Sequence, residues 1–430
     1  MKNTVTFYNC IVLDGSENME PRKNMSVVVE NGRISSIGNN APPKNSEMID
    51  LGGRYLLPGL INAHVHLPGS GKPSQRSAQS PESVRKLMRN PVSRFILQKM
   101  CEKYAATELL SGTTTIRTVG GLGTIDSAIR DRINNGKLTG PRMLVSDMAV
   151  SVPGGHMAGV LAYEAKSPEE CRDYIRIIAE KKPDLIKLMI TGGVLDATVK
   201  GEPGILRMPL DFVQAACDEA HKLGFKVAAH VESTEGVLVA LKGGVDTIEH
   251  GAMPNDEIIS LFKVHGSADI CTISPAFPIT AFPPELTNCN ELVQYNGKVV
   301  MEGIIASAKE CLANGIPVGL GTDTACPCIT HYNMWREVFL FHKYVDVTTA
   351  FALYSATLGN ARILGIENET GSVAVGKSAD FLIADANPLE DLSVLSQPYM
   401  VVMRGKLLRQ PKVKKIKIID ENLDRAFSEI

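Results

Sequence analysis

Two histidines separated by one residue, His64 and His66, follow an apolar run in the segment LLPGLINAHVHL. Because the side chains of a strand alternate between its two faces, residues i and i+2 point to the same side, so both imidazoles face one way. Two imidazoles side by side at a strand end are half of a divalent metal site. Such a pair also occurs by chance on ordinary strands, so the interpretation depends on ligands elsewhere in the chain.

Four further candidate ligands lie in or at the ends of other apolar runs. His230 ends FKVAAH, His250 ends DTIEH, Asp323 ends VGLGTD, and Lys187 lies within DLIKLMI. A single histidine at such a position is more often a satisfied core residue than a ligand. Two of them, with a His-x-His pair and a carboxylate, favour a metal centre.

Lys187 has two interpretations. Its ammonium would stand in an apolar strand, where an unpaired charge is costly, so it could pair with a carboxylate of the interior. Alternatively, desolvation lowers the pKa of the amine and leaves it nucleophilic enough to form a carbamate with carbon dioxide. A carbamate is a carboxylate on a long arm that can bridge two cations.

Asp323 suggests the type of reaction. A carboxylate at this position can bind one metal and accept a proton from a water molecule, a double role that suits hydrolysis. Gly319, Gly321 and Thr322 are small and leave room for the loop to approach the site.

Eight apolar, strand-like runs must position these residues. Between most of them lie amphipathic helical patterns, such as LDFVQAACDEAHKLG, that end in glycine. This alternation predicts an α/β fold, a (β/α)8 TIM barrel over residues 58–368, in which all the carboxyl ends of the strands open onto one face. A doubly wound sheet shares the alternation, but the polar residues at the strand ends favour the barrel. The eight predicted strands are GLINAHVH, TTTIRTV, PRMLVSD, DLIKLMI, FKVAAHV, VDTIEHG, ADICTISP and IPVGLGTD.

The two ends of the chain are rich in short strand patterns. Residues 1–57 and 369–410 are each too short for a core of their own, and they are predicted to combine into one small β-sandwich domain. Asn31-Gly32 predicts a two-residue hairpin turn within the first segment. Residues 67–90 are predicted to be a mobile loop over the strand ends, or else a passive surface insertion. The tail 411–430 has a short helical pattern and is assigned no chemistry.

Composition excludes several classes of function. The chain has 430 residues and a formal net charge of −2, which gives no electrostatic case for binding nucleic acid or an anionic membrane. No apolar run is long enough to span a bilayer, and nine scattered cysteines without zinc-ribbon spacing fit a reducing compartment. We therefore expect a cytoplasmic protein that acts on a small molecule and that can form homo-oligomers.

Taken together, these motifs resemble the amidohydrolase superfamily of metal-dependent hydrolases. LLPGLINAHVHL is similar to its first-strand motif, GTD to its last, and GSVAVGKSADFLIADANPLEDL to its returning β-sandwich strand. Within the superfamily, SGTTTIRTVGG, IKLMITGGV and SATLGNARILG resemble the branch of imidazolonepropionase-like proteins and Xaa-Pro dipeptidases.

The resemblance implies two divalent cations, usually zinc. One would be bound by His64, His66 and Asp323, the other by His230 and His250. Carbamylated Lys187 and a hydroxide would bridge the two cations. The attack of that hydroxide on a carbonyl would then hydrolyse a C–N amide bond of a small molecule.

Substrate contacts are less well determined. His156, in SVPGGHMAG, matches a position that contacts the substrate in this branch, and Glu232 and His331 are further predicted substrate-binding residues. The chain departs from the branch at Thr118, where Asp is common after Arg, and at Glu232, close to where an aromatic residue or a second histidine is often found. Glu232 could equally begin the next helix as a surface residue.

The expected substrate is a dipeptide or an N-acyl amino acid, with a cyclic, imidazolone- or lactam-like amide or another small amide as the alternative. In this reaction Asp323 is expected to move the proton, and His156 is expected to donate to the carbonyl or to a substrate carboxylate. A mononuclear deaminase and a metal-binding barrel without catalysis are weaker alternatives. Deaminases of this fold typically lack the lysine of the fourth strand, and a binding protein has little need for Asp323 beside four histidines.

Overall fold

The computed structural model describes residues 4–39, 46–73 and 80–430. Most strands of the central region alternate with helices, as the apolar runs predict. The strands are β1 Thr4–Val12, β2 Arg22–Glu30, β3 Arg33–Gly38, β4 Glu47–Asp50, β5 Tyr55–Pro58, β6 Leu60–Val65, β7 Thr113–Thr118, β8 Arg142–Val145, β9 Ala149–Ser151, β10 Ala162–Glu164, β11 Ile186–Met189, β12 Val227–Val231, β13 Thr247–His250, β14 Ala268–Cys271, β15 Val318–Leu320, β16 Phe381–Ala384, β17 Met400–Met403 and β18 Lys406–Arg409.

The helices mostly follow the strands and cover the outside of the parallel sheets. The α-helices are α1 Pro81–Arg89, α2 Pro91–Leu110, α3 Ile125–Asn134, α4 Pro168–Ala179, α5 Leu210–Lys222, α6 Thr234–Lys242, α7 Asp256–His265, α8 Ile273–Ala281, α9 Pro284–Thr287, α10 Glu291–Ala313, α11 Met334–Val345, α12 Thr349–Tyr354, α13 Asn360–Leu364 and α14 Lys417–Phe427.

Two parallel sheets form the central region. One has the order β6-β7-β8 and the other β10-β9-β11-β12-β13-β14-β15, with parallel pairing throughout. Each of the eight predicted runs contains one of these strands, and β9 and β10 are additional. The prediction of an α/β fold with parallel sheets is confirmed. Within the described residues the two hydrogen-bonded ladders do not join into one closed sheet, so the closed barrel stays a prediction.

The strands from the two ends of the chain share one sheet. Among the described residues it has eight strands in the order β18-β17-β16-β5-β1-β2-β3, with β4 paired to β1. Asn31 and Gly32 form the predicted turn between antiparallel β2 and β3, both with positive φ. The rings of Phe7 and Phe381 pack 5.9 Å apart and join the two ends of the chain in one core. A separation into the two sheets of a sandwich, and the domain boundaries, remain predictions.

One connecting segment differs from its sequence-based description, whereas the C-terminal tail has the helix that its pattern indicates. Part of the predicted loop 67–90 is helical, since Ser80 caps the amide of Ser83 and a proline begins α1. Residues 74–79 of that loop lie outside the described residues. The tail contains α14, which buries Ile419 and Leu423 against the central core.

In the part of the chain that the structure describes, no helix combines the length and the apolar character needed to cross a bilayer.

Candidate metal centre

The ends of β6, β12, β13 and β15 bring four histidines and one carboxylate together. The ring of His64 lies 5.3 Å from that of His66 and 4.8 Å from that of His250, and His230 lies 4.7 Å from His250. The Nε2 atoms of His64 and His66 lie 3.5 Å and 3.3 Å from the same oxygen, Oδ1 of Asp323. Residues far apart in the sequence thus place their ligand atoms in one small volume.

Hydrogen bonds set the tautomers of the first two histidines. The Nδ1 atom of His64 lies 2.7 Å from a carboxylate oxygen of Glu249, and Nδ1 of His66 lies 2.9 Å from the carbonyl oxygen of Gly120. Both partners are acceptors, so both Nδ1 atoms donate and both Nε2 atoms carry lone pairs. These lone pairs face Asp323, and three acceptors that converge in this way repel one another unless a cation lies between them. The arrangement therefore fits a cation.

The other two histidines also have one ring nitrogen engaged and one remaining. Nε2 of His230 lies 3.3 Å from the carbonyl oxygen of Gly192, and Nδ1 of His250 lies 2.7 Å from Oγ1 of Thr272. Burial lowers the pKa of both imidazoles well below their usual value. Neutral imidazoles with one uncommitted nitrogen are the form in which histidine binds metals.

Close to the four histidines and Asp323 lies Lys187, which interacts with several of them electrostatically and forms no ion pair within the described residues. Its side chain is fully buried, and Nζ has no hydrogen-bond partner within the described residues. Burial lowers the pKa of the amine to about 8. A larger fraction of the amine is therefore unprotonated at neutral pH than for an ordinary lysine.

Backbone conformation at two strand ends aims the ligands inward. His250 and Asp323 have φ values of 74° and 51°, which are uncommon for residues other than glycine. The amide of Asp323 donates to the carbonyl of His64 over 2.9 Å. A side chain at Gly321 would place its Cβ 2.4 Å from Cβ of His64, so only glycine allows this approach.

A buried ion pair between Arg117 and Glu249 contacts His64 on the Nδ1 side of its ring. This pair was not identified from the sequence. Arg117 donates to Glu249 over 2.7 Å and to the carbonyl of Ala63 over 2.6 Å, while Thr247 donates to Glu249 over 2.7 Å. Although burial alone would raise the pKa of Glu249, Arg117 and His64 hold it far below its usual value. The sequence does contain a signal for Glu249, because this residue, like Lys187, is an ionisable residue within an apolar strand.

His156 lies at the edge of the centre and stacks on a ligand. Its ring is parallel to that of His230 at 4.2 Å, and its Nδ1 forms a hydrogen bond to Asp196. The backbone amide of Gly193 also donates to Asp196, over 3.1 Å. Asp196 was not among the predicted site residues, since it lies in the loop after β11 and no local pattern marks it.

Glu232 lies before helix α6 rather than in it. Ser233 is the N-cap and the helix begins at Thr234, so the interpretation of Glu232 as a first-turn residue does not describe its position. The carboxylate of Glu232 and ring nitrogens of His230 and His250 all lie within 4.8 Å of one another. Burial raises the pKa of Glu232 to about 8, and the nearby Asp323 adds to the shift.

His331 is the one predicted site residue outside this cluster. Its Nε2 donates to the carbonyl of Gly69 over 2.7 Å, its Nδ1 lies 3.3 Å from Glu108, and its ring stacks on Tyr104 at 4.6 Å. Both nitrogens thus contact protein groups, and a substrate contact for His331 stays a prediction.

Comparison with known proteins finds relatives over most of the chain. The amidohydrolase family model matches residues 55–408. Ochratoxinase of Aspergillus niger is 25% identical, with 92% of this chain and 85% of that protein covered. Imidazolonepropionase of Picrophilus torridus is 24% identical, with 95% of this chain and 96% of that protein covered.

Solved structures show the same similarity over the whole chain. A protein of Bifidobacterium longum assigned as a prolidase has a TM-score of 0.87 and 34% identity, and the match covers 99% of both chains. A Xaa-Pro dipeptidase with methionine bound in its active site has a TM-score of 0.82 and 28% identity, with 94% of this chain and 100% of that chain covered. The chain therefore belongs to the amidohydrolase family and is a hydrolytic enzyme of that superfamily.

Proposed function

We propose that this protein is a binuclear metal-dependent amidohydrolase that cleaves the C–N amide bond of a small molecule, with a dipeptide or N-acyl amino acid as the first candidate substrate. The observation that carries the proposal is the convergence of ligand atoms from four histidines and Asp323 near buried Lys187, whose Nζ has no hydrogen-bond partner among the described residues. In such a site the ligands repel one another when no cation is bound, whereas two cations offset that repulsion.

The ligands divide into two sets. His64, His66 and Asp323 would hold one divalent cation, and His230 and His250 the other. Lys187 would bridge them as a carbamate, which its lowered pKa favours. Imidazole and carboxylate ligands suit zinc. When bound, the cations would supply Lewis acidity to the scissile carbonyl and to the attacking water.

The residues of the chain provide the proton transfer and the orientation. Asp323 would take a proton from the attacking water and return it to the leaving nitrogen. His156 would donate through Nε2 to an oxygen of the substrate, since its Nδ1 forms a hydrogen bond to Asp196. The stacking on His230 fixes the plane of the His156 ring next to the cation site.

Similarity supports a peptide substrate. A structure with 28% identity is a Xaa-Pro dipeptidase that holds an amino acid in its active site. A cyclic amide is the second candidate, favoured by the similarity to an imidazolonepropionase over most of both chains.

We also propose that the eight predicted strands close into a (β/α)8 barrel and that residues 1–57 and 369–410 form a β-sandwich domain. Backbone hydrogen bonds between the two parallel sheets support the closure. The amide of Asp323 donates to His64 over 2.9 Å, and the amide of Asp184 donates to Val145 over 2.7 Å. Both gaps between the sheets are thus crossed by direct backbone contact.

The experiment combines metal analysis with a substrate panel. Protein purified without chelator should contain close to two divalent ions per chain and should hydrolyse members of a panel of dipeptides, N-acyl amino acids and lactams. Asp323→Asn should lower kcat by roughly a hundredfold or more, because the amide cannot accept the proton. Asp218→Asn, on the exposed side of α5, is the matched control and should leave kcat unchanged. Full activity with one ion or none would contradict the binuclear proposal.

A further inference from the structure

The loop after β11 makes three contacts with Glu232. The backbone amide of Glu232 donates to Oγ1 of Thr191 over 3.0 Å, and the amide of Val194 donates to Oε2 of Glu232 over 2.8 Å. Gly204 packs so closely that a Cβ there would lie 2.4 Å from the carbonyl carbon of Glu232. The position of the carboxylate is therefore set by the protein itself and does not require a bound substrate.

This carboxylate borders the space in which the scissile bond must lie. Its oxygen is within 4.8 Å of ligand nitrogens of His230 and His250, and the residue is only partly buried. A second acid, Asp196, lies nearby but is engaged by His156 and by the amide of Gly193. Among the described residues, Glu232 therefore differs from Asp196 in that its carboxylate accepts a hydrogen bond from a backbone amide alone.

Within the described residues, no lysine or arginine forms an ion pair or a hydrogen bond with Glu232. Two more deeply buried carboxylates of this protein do have such a partner: Glu249 pairs with Arg117, and Asp380 pairs with Arg142. A partly buried carboxylate without a cation is costly, so a cation from outside the chain would complete the site.

We propose that Glu232 binds the α-ammonium group of the substrate, so that the enzyme hydrolyses dipeptides with a free amino terminus in preference to N-acyl amino acids. This inference rests on the proposed function. The α-ammonium is attached to the carbon next to the scissile carbonyl, so it lies within a few ångströms of the cation site, as the Glu232 carboxylate does. A longer cationic side chain would extend past this position.

Matched substrates test the proposal on the wild-type protein without any variant. Each dipeptide that the metal-loaded enzyme hydrolyses is compared with the same dipeptide acetylated at its amino terminus. Because a charge-assisted hydrogen bond is lost on acetylation, we expect kcat/KM to be at least about tenfold higher for the free dipeptide. Equal values for the two members of each pair would overturn the proposal.

The variant Glu232→Gln tests whether Glu232 causes the preference for dipeptides with a free amino terminus. The variant keeps the size and one hydrogen-bond acceptor but removes the charge. It should lower kcat/KM for free dipeptides by about tenfold or more, mainly through KM, and so reduce the preference for the free over the acetylated substrate. Glu235→Gln, exposed in the first turn of α6, is the matched control and should change neither.

Two outcomes separate this inference from its alternatives. Loss of a bound metal ion from Glu232→Gln, measured by elemental analysis, would make Glu232 a metal ligand and overturn the ammonium assignment. Failure of the metal-loaded wild-type protein to hydrolyse any dipeptide, N-acyl amino acid or lactam would contradict the proposed function itself, and the inference with it. Hydrolysis of the acetylated members alone would leave the proposed function intact and overturn only the inference.

Discussion

The orientation of His64 depends on the carboxylate of Glu249, whose two oxygens are both engaged by other side chains. Glu249 accepts from Nδ1 of His64 with one oxygen and from Arg117 with the other, and all three side chains are buried. The ion pair with Arg117 keeps Glu249 charged, so the proton of His64 stays on Nδ1 and the lone pair of Nε2 faces Asp323. Outer carboxylates of this kind fix the tautomer and the basicity of ligating histidines.

We predict that Glu249→Gln weakens metal binding by about 10- to 100-fold, because a neutral amide holds the tautomer of His64 less firmly. Metal retention against a competing chelator measures this directly and does not depend on catalysis. Glu257→Gln, an exposed residue of α7, serves as the control. Unchanged metal affinity in Glu249→Gln would show that the Arg117–Glu249 pair is only a structural ion pair.

At the scale of elements, the loop after β6 and the loop after β15 are joined by hydrogen bonds beside the candidate site. Oγ1 of Thr324 accepts from the amide of His66 and donates to its carbonyl, both over 3.1 Å. The amide of Cys328 donates to Gly71 over 2.7 Å, and His331 donates to Gly69 over the same distance. The loop after β15 therefore fixes the beginning of the loop after β6.

Helix α14 supports the same loop from outside. The hydroxyl of Tyr332 accepts from the amide of Ile416 over 2.7 Å and donates to Asp420 over 3.0 Å. The ring of Phe427 stacks on that of Phe339 at 4.9 Å. The tail, to which the sequence assigned no chemistry, thus packs on the helix and loop that follow Asp323.

We expect Tyr332→Phe to detach this support in part. Both hydrogen bonds of the hydroxyl are lost, which should lower the free energy of unfolding by about 1–2 kcal/mol and expose the segment before α14 to proteases. Denaturant unfolding and limited proteolysis are the measurements. Tyr295→Phe, at a half-exposed position on α10, is the control; equal behaviour of the two variants would mean that α14 is held by its apolar contacts alone.

At the scale of the whole molecule, one carboxylate joins the terminal sheet to the parallel sheets. Asp380 accepts from Arg142 and Thr370 with one oxygen, and from Ser378 and the amide of Arg404 with the other. Each of its four hydrogen bonds is between 2.8 Å and 3.0 Å, and the residue is buried. The two parts of the chain therefore share a polar contact in which both oxygens of Asp380 accept two hydrogen bonds each.

Stability of the whole molecule should depend on pH through Asp126. Burial raises the pKa of Asp126 to about 7, and the neighbouring Asp147 adds to the shift. Between pH about 4 and 7 the folded protein holds a proton that the unfolded chain has released, so this group makes the protein less stable as pH rises, by at most about 1.4 kcal/mol per pH unit.

Asp126→Asn removes this titration. The unfolding temperature of the variant minus that of the wild type should therefore increase from pH 5 to pH 7.5, while contributions from the buried histidines cancel in the difference. Calorimetry at the two pH values measures it, with Asp218→Asn as a control that should show no change. A difference that is constant with pH would show that Asp126 is ionised in the folded protein at both values.

The sequence by itself determined the strand-forming runs and the positions of the six candidate ligands, whose role in metal binding stays a prediction. The eight apolar runs each contain a strand, the Asn31-Gly32 turn forms, and the structure brings His64, His66, Lys187, His230, His250 and Asp323 together. These features follow from local rules, because strand periodicity, turn chemistry and the position of a residue at a strand end are encoded within a few neighbouring residues.

Only the tertiary structure decided which other residues contact the candidate ligands and orient them. Glu249 contacts His64 across 185 positions of sequence, and His331 contacts Gly69 across 262. Glu232 faces the cluster because a different loop, through Thr191 and Val194, holds it there. Contacts of this kind depend on strand order and on how loops from distant segments pack, and no local periodicity carries that information.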